Sequence, residues 1–144
     1  MFNQGPNNVN AFVWPVRVYY EDTDSGGVVY YANYLKFMER ARTEWLRSLG
    51  FEQDQLLRQH GMIFAVHRVE VAYHRPARFN EALQVSASII HKGRASLTFY
   101  QEVRRMDDKA LLCDGQIKIA CVDLHKMRPK PIPKKIFEEI TDVE

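Results

Sequence analysis

The segment Arg17-Val18-Tyr19-Tyr20-Glu21-Asp22-Thr23-Asp24-Ser25-Gly26-Gly27-Val28-Val29-Tyr30-Tyr31-Ala32-Asn33-Tyr34 concentrates the groups of this chain that could do chemistry. Glu21, Asp22 and Asp24 supply three carboxylates, and a long helical period begins shortly after them. The first turn of a helix carries unpaired N–H groups and the positive end of the helix dipole, so negative charge developing there is stabilised. Gly26 and Gly27 permit close backbone approach by a ligand and backbone angles closed to other residues. A carboxylate that activates water or attacks, set beside donors aimed at a carbonyl oxygen, is the equipment for hydrolysing an acyl group. The same residues admit two blander readings. Asp22 and Asp24 also suit a tight turn in which each side chain bonds its own backbone. Asp-x-Asp-x-Gly echoes part of a calcium loop as well, but Val28 and Val29 follow and no Glu stands at the twelfth position, so calcium is disfavoured.

The elements that must position these groups follow from periodicity. Phe12 to Glu21 reads as a strand, with Val16, Val18 and Tyr20 on one face and Arg17 and Tyr19 on the other. Asp22 to Gly27 forms a polar turn. Asn33 is the expected N-cap of a helix whose apolar stripe is Tyr34, Phe37, Met38, Ala41, Trp45 and Leu49. Arg40 and Glu44 form an i,i+4 pair, and Gly50 supplies the stop. A short second helix is expected at Gln53–Gln59. Met62 to Tyr73 then alternates with a change of phase at His67-Arg68, which marks a bulge. Leu83–Ile89, Ala95–Val103 and Leu111–Val122 alternate as strands, joined by turns at His91–Arg94 and Asp107–Lys109. Strand, long helix and then a four-strand antiparallel meander is an α+β order, which disfavours a doubly wound nucleotide-binding sheet. A five-stranded antiparallel sheet wrapped around one long central helix buries the stripe, and that is the outline of a hotdog.

Bulk properties set outer limits. The chain has 144 residues, 46% hydrophobic and 26% charged, as expected for one domain with one core. A net charge of +2 gives no overall field for nucleic acid. The basic residues cluster at Arg75–Arg78, Lys92–Arg94, Arg104–Arg105 and Lys126–Lys135; most such clusters are solvated, and one or two could hold phosphates. Cys113 and Cys121 lie in one expected strand, roughly 26 Å apart at about 3.3 Å per residue, and cannot pair within it. Buried free thiols in a reducing compartment are expected. Residues 1–11 read as a flexible polar N-terminus without an apolar leader, and 126–144 as a surface tail. With no apolar run long enough for a bilayer, the expectation is a cytoplasmic protein with no integral membrane segment.

The active segment resembles the signature of the 4-hydroxybenzoyl-CoA thioesterase family. Arg17-Val18, Thr23-Asp24, Gly27-Val28-Val29 and Tyr34 match it in order. Within the family the longer resemblance is to the YbgC branch, acyl-CoA thioesterases associated with the Tol-Pal envelope system. It runs through Pro15–Asp24, Glu39–Glu44, Ala120–Asp123 and Lys126-Met127, covering about Trp14 to Pro133. The resemblance implies a hotdog homodimer or homotetramer with active sites at subunit interfaces, and it implies hydrolysis of acyl-CoA to free acid and CoA. It places the catalytic carboxylate on Asp24, as nucleophile or general base, and the carbonyl-polarising donor on the backbone N–H of Tyr31. Many YbgC relatives carry His where Tyr31 stands, and a phenol is a poor base at neutral pH. A backbone donor survives any side chain.

Gly26, Gly27, Val28 and Tyr34 are the expected substrate-binding residues of that loop, and Arg75, Arg78, Lys92 and Arg94 the expected contacts to CoA phosphates. No cofactor or metal is expected beyond the CoA of the substrate; His60, His67, His91 and His125 are dispersed. Tyr73-His74-Arg75-Pro76 resembles the His motif of hotdog dehydratases such as FabZ, but it follows the central helix instead of preceding it, so His74 reads as structural. Trp14 and Trp45 read as packing, and Tyr19, Tyr20 and Tyr30 as core or as walls of an acyl slot. The rival function is a non-catalytic module that binds acyl carrier protein or CoA and associates with phospholipid-synthesis or Tol-Pal proteins. Preferred acyl chain and physiological carrier are not encoded in any local motif.

Overall fold

The computed structural model describes residues 11–140. In chain order the elements are β1 (Phe12–Arg17), a single 3-10 turn (Tyr20–Asp22), α1 (Asn33–Ser48) and α2 (Gln53–His60). There follow β2 (Met62–Tyr73), β3 (Ala82–Lys92), β4 (Ser96–Arg105), β5 (Leu111–Asp123), β6 (Arg128–Pro129) and α3 (Lys134–Glu139). One antiparallel sheet runs in the order β1-β3-β4-β5-β2, and β6 is added on β5.

The sheet curls around α1. Tyr34, Phe37, Met38, Ala41 and Leu46 of the helix are buried, and Trp45 and Leu49 pack at the margin of the core. Facing them are Leu83, Val85 and Ala87 of β3 and Leu97, Phe99 and Val103 of β4, the alternating positions expected from period two. Each large side chain so buried contributes about 1.5–3 kcal/mol relative to exposure. Gly50, at φ 98°, ends the helical segment in the left-handed region, which glycine enters without a Cβ clash. The β2–β5 register shifts between Val66 and Arg68, the expected bulge.

Five expectations are corrected. The strands do not form a simple meander: β1 and β4 occupy both edges of β3, so β2 pairs with the free side of β5. The first strand ends at Arg17 instead of Glu21, because the Tyr19 N–H donates to Asp22 Oδ2 (2.8 Å) and winds the chain into a 3-10 turn. Tyr20 is consequently 79% exposed and belongs to no core face. Asn33 is not the N-cap; Ala32 holds that place, and the Asn33 side chain turns to Asp22. Glu44 pairs with Arg47 (2.6 Å), while the Arg40 guanidinium sits 6.0 Å from the Phe37 ring centroid.

The fifth correction is the tail. Residues 126–140 do not merely cover the surface: β6 pairs with Val122 and Asp123, and Ile132, Ile136 and Ile140 are buried. Their spacing of four puts three apolar side chains on one side of a Pro- and Lys-rich segment, and composition hid the pattern. The last four residues, and all but the end of the polar stretch Met1–Ala11, lie outside the described residues. Among the described residues no helix is long and apolar enough to cross a membrane.

Cys113 and Cys121 are free and buried. Burial pushes their thiols up to about 12 and about 11, with Asp114 adding to the effect at Cys113. Only the thiolate reacts. Neither cysteine should therefore label with a colorimetric thiol reagent at pH 8 in the native protein, and both should label in denaturant. Rapid native labelling of either would show that the sheet opens locally.

Candidate active site

The chain beyond β1 stays beside the start of β3, since the Val18 N–H donates to Glu81 O and the Asn80 N–H to Val18 O, both at 2.9 Å. It then folds into a small hairpin in which Thr23 bridges Val29. The Asp24 N–H donates to Val28 O (2.9 Å) and the Gly27 N–H to Asp24 O (3.1 Å). Gly27 sits at φ 82°, a conformation costly to any residue with a Cβ. Val28 bridges Arg78, and the Val29 N–H donates to Ala77 O, so the hairpin is fastened to the segment between β2 and β3.

The two aspartates divide the roles that their sequence pattern left open. Asp22 is 4% exposed and fully engaged. Its Oδ2 accepts the Tyr19 N–H, its Oδ1 accepts Asn33 Nδ2 (3.0 Å), and its carbonyl accepts the Tyr30 N–H (2.9 Å). Asp22 thus ties the hairpin to the first residue of α1. Asp22→Ala should cost about 1–3 kcal/mol in urea unfolding, because it strands buried donors. A change below about 0.5 kcal/mol, the range of ordinary surface substitutions, would show that the loop is held by other means.

Asp24 is exposed, and its Oδ1 accepts the Gly26 N–H at 2.8 Å. The turn-forming reading of Asp24 is therefore correct as far as Oδ1 goes. Oδ2 has no partner among the described residues. Just downstream, Asn33 N–H donates to Tyr30 O and Leu35 N–H to Ala32 O, but the N–H groups of Tyr31 and Ala32 have no acceptor among the described residues. The loop therefore presents a half-free carboxylate and open backbone donors at the positive end of α1.

Beside these donors lies an open cleft of about 240 Å³, lined by Val29, Tyr31, Tyr34, Tyr73, His74 and Arg75 with Pro76. The Tyr31 ring packs on Tyr30 (4.9 Å between centroids) and edge-on to Tyr73 (6.1 Å). Tyr34 contributes its ring to the wall, while its hydroxyl accepts the Ala77 N–H (2.9 Å) and pins the loop. Burial raises the phenol pKa of Tyr34 and Tyr73, and the hydrogen bond with Tyr31 raises that of Tyr30. These three phenols stay protonated at neutral pH and are not bases; Tyr34 and Tyr73 serve as walls of the cleft.

Long-range pairing supplied what spacing could not reveal. His74 Nε2 lies 2.8 Å from Asp114 Oδ1, and the Tyr100 hydroxyl stands 3.1 Å from Asp114 Oδ2 and 2.7 Å from Glu102 Oε2. Arg104 Nε closes the chain on Glu102 Oε1 (2.8 Å). Asp114 and Glu102 are buried, and no local signal in the sequence points to either.

The four cations expected to hold phosphates separate into two pairs. Arg75 and Arg78 are exposed beside the hairpin, with no ion pair among the described residues. Lys92 closes the far end of β3, ten residues on from Ala82 or about 33 Å at 3.3 Å per residue, and Arg94 lies just past it. The Lys92 ammonium is also committed there: it donates to Ile140 O (3.1 Å) and lies 4.2 Å from the Phe137 ring centroid. Within one chain, Lys92 and Arg94 do not join the Asp24 site. No three His, Cys, Asp or Glu side chains among the described residues come together as a metal site.

The chain matches the family model of the thioesterase-like superfamily over residues 18–140. The 1,4-dihydroxy-2-naphthoyl-CoA thioesterase of Synechocystis superposes with a TM-score of 0.84 at 22% identity, covering 90% of this chain and 95% of that one. The fold is the hotdog of the thioesterase-like proteins. Two relatives are nearer in sequence. The acyl-CoA thioester hydrolase YbgC of Escherichia coli O6:H1 is 43% identical over 132 residues, 92% of this chain and 97% of that protein. The acyl-CoA thioesterase YbgC of Haemophilus influenzae is 45% identical over 127 residues, 88% of this chain and 92% of that protein. The chain belongs to the YbgC family of acyl-CoA thioesterases.

Proposed function

We propose that this protein hydrolyses acyl-CoA thioesters to free acid and CoA, with Asp24 as the reacting carboxylate and the start of α1 as the oxyanion site. One observation carries the assignment of residues: among the described residues Asp24 Oδ2 has no partner, and the Tyr31 N–H, seven residues on at the start of α1, has no acceptor. Hydrolysis of a thioester needs a base or nucleophile together with a donor for the charge that grows on the carbonyl oxygen. Asp24 attacks the carbonyl to form an anhydride that water then hydrolyses, giving the free acid and regenerating the carboxylate, or it removes a proton from the water that attacks the thioester directly. The Tyr31 N–H holds the oxyanion, and the CoA thiolate departs. Nothing in this scheme draws on the Tyr31 side chain.

In this reading Arg75, which lines the cleft, and the exposed Arg78 near it would meet the CoA phosphates, and the rings of Tyr31, Tyr34 and Tyr73 would receive the acyl or pantetheine part. The cleft in one chain is smaller than the about 300–1,000 Å³ typical of ligand pockets. A homodimer supplies the missing wall. β2 supports this, being a 12-residue edge strand without proline that leaves Val66, Val69 and Tyr73 exposed. Long unprotected edges invite pairing with a second copy.

The test is release of free thiol from a panel of acyl-CoAs of differing chain, run on the parent and Asp24→Asn proteins together. Turnover in the parent that is lost in the variant supports the assignment. Binding of CoA by both proteins with no hydrolysis by either replaces it with the non-catalytic module.

A further inference from the structure

The helix that carries the oxyanion site also buries a cation with no acid to match it. Arg42 lies midway along α1 and is only 9% exposed. Its NH1 donates to Gln101 Oε1 at 3.0 Å, and no other acceptor among the described residues meets its remaining N–H groups. Gln101 is fully buried and cannot turn to offer more, because its amide nitrogen donates to Met38 O and Ser86 O, both at 3.1 Å. Among the described residues no carboxylate lies within ion-pair distance of the guanidinium; Glu39, one helical turn back, acts on it only through space. Burial accordingly lowers the Arg42 pKa to about 10. The N–H groups that Gln101 does not take are not among the buried atoms left without a partner, so they open toward solvent, where a ligand can reach them.

A small cavity of about 60 Å³ adjoins this guanidinium. Trp45, Leu46, Phe64 and Phe99 wall it, with Glu39 and Arg42 contributing its charged part. It lies in the margin between α1 and the β2–β5 side of the sheet, whereas the Asp24 hairpin is fastened to the segment between β2 and β3. A carboxylate with one or two carbons is small enough for a cavity of this size.

We propose that Arg42 anchors a carboxylate-binding pocket separate from the acyl-CoA site. The fork of unused N–H groups receives both oxygens of the carboxylate, which is the geometry guanidinium recognises best, and the carbon substituent rests against the aromatic walls. The carboxylate comes either from a small free acid or from an acidic side chain of a second copy of the chain.

The probe is sodium acetate, and the reporter is Trp45, which lines the cavity; a Trp14→Phe background removes the other indole. Acetate should change the Trp45 emission along a saturable curve, and Arg42→Met in the same background should abolish it. Arg42→Lys keeps the charge but not the fork, and should weaken the response about tenfold or more; it serves as the test if the methionine variant does not fold. If acetate has no effect while the Arg42 variants weaken self-association about tenfold, measured by sedimentation, the carboxylate is supplied by the second copy. If acetate gives no saturable change and self-association is also unaltered, the proposal is overturned. A saturable change that persists unaltered in both variants overturns it as well.

Discussion

Replacing Asp24 by Asn should lower the turnover number for the preferred acyl-CoA by about a hundredfold or more, with a much smaller effect on KM. The substitution keeps the size of the side chain and its acceptor oxygen toward the Gly26 N–H, so the hairpin closed by Thr23 and Val29 is retained. What disappears is the carboxylate charge at Oδ2, the atom left without a partner among the described residues. A loss confined to kcat reports an interaction made in the transition state. A proportional rise in KM with unchanged kcat would instead make Asp24 a binding residue. Unchanged kinetics would remove it from the mechanism, leaving Glu21 as the nearest alternative carboxylate, since both Asp22 oxygens are occupied.

Phe99→Ala has the largest expected effect on stability. Phe99 is fully buried on β4, between Ile89 and Ile117 in the sheet register, and meets Trp45 of α1 edge-to-face with centroids 5.0 Å apart. Truncation removes most of a ring at the contact between helix and sheet. It also enlarges the Arg42 cavity, which Phe99 already lines, so water rather than packing fills the space. The expected cost is about 3–5 kcal/mol, against a total of about 5–15 kcal/mol for a domain of this kind. Urea unfolding followed by far-ultraviolet circular dichroism measures it. A loss under about 1.5 kcal/mol, the cost of a tolerated core swap, would mean that α1 settles onto the sheet and closes the gap.

Local order was legible in the sequence. The helix carrying Tyr34, Phe37, Met38 and Ala41, its stop at Gly50, the bulge at His67-Arg68 and the alternation of β3 and β4 all rest on periods of a few residues. Such periods are written by the chain itself, because the face a residue occupies follows from its spacing. The hairpin of turn formers around Asp24 was equally plain, and so was its place just ahead of a helix start.

Tertiary structure decided the remainder. Nothing local tells β2 to pair with β5 instead of β3; the choice falls to whichever edge β1 and β4 leave open. Spacing alone could not separate Asp22 from Asp24, because the difference lies in which carboxylate the backbone of Tyr19 and the amide of Asn33 reach first. Arg75 and Lys92 look alike as basic residues, yet the length of β3 parts them, and the terminal helix claims Lys92. Asp114 meets His74, and Arg42 meets Gln101, across 40 and 59 residues of chain. Hydrogen bonds and ion pairs act over a few ångströms, so partners that far apart in sequence become neighbours only once the sheet has closed around α1.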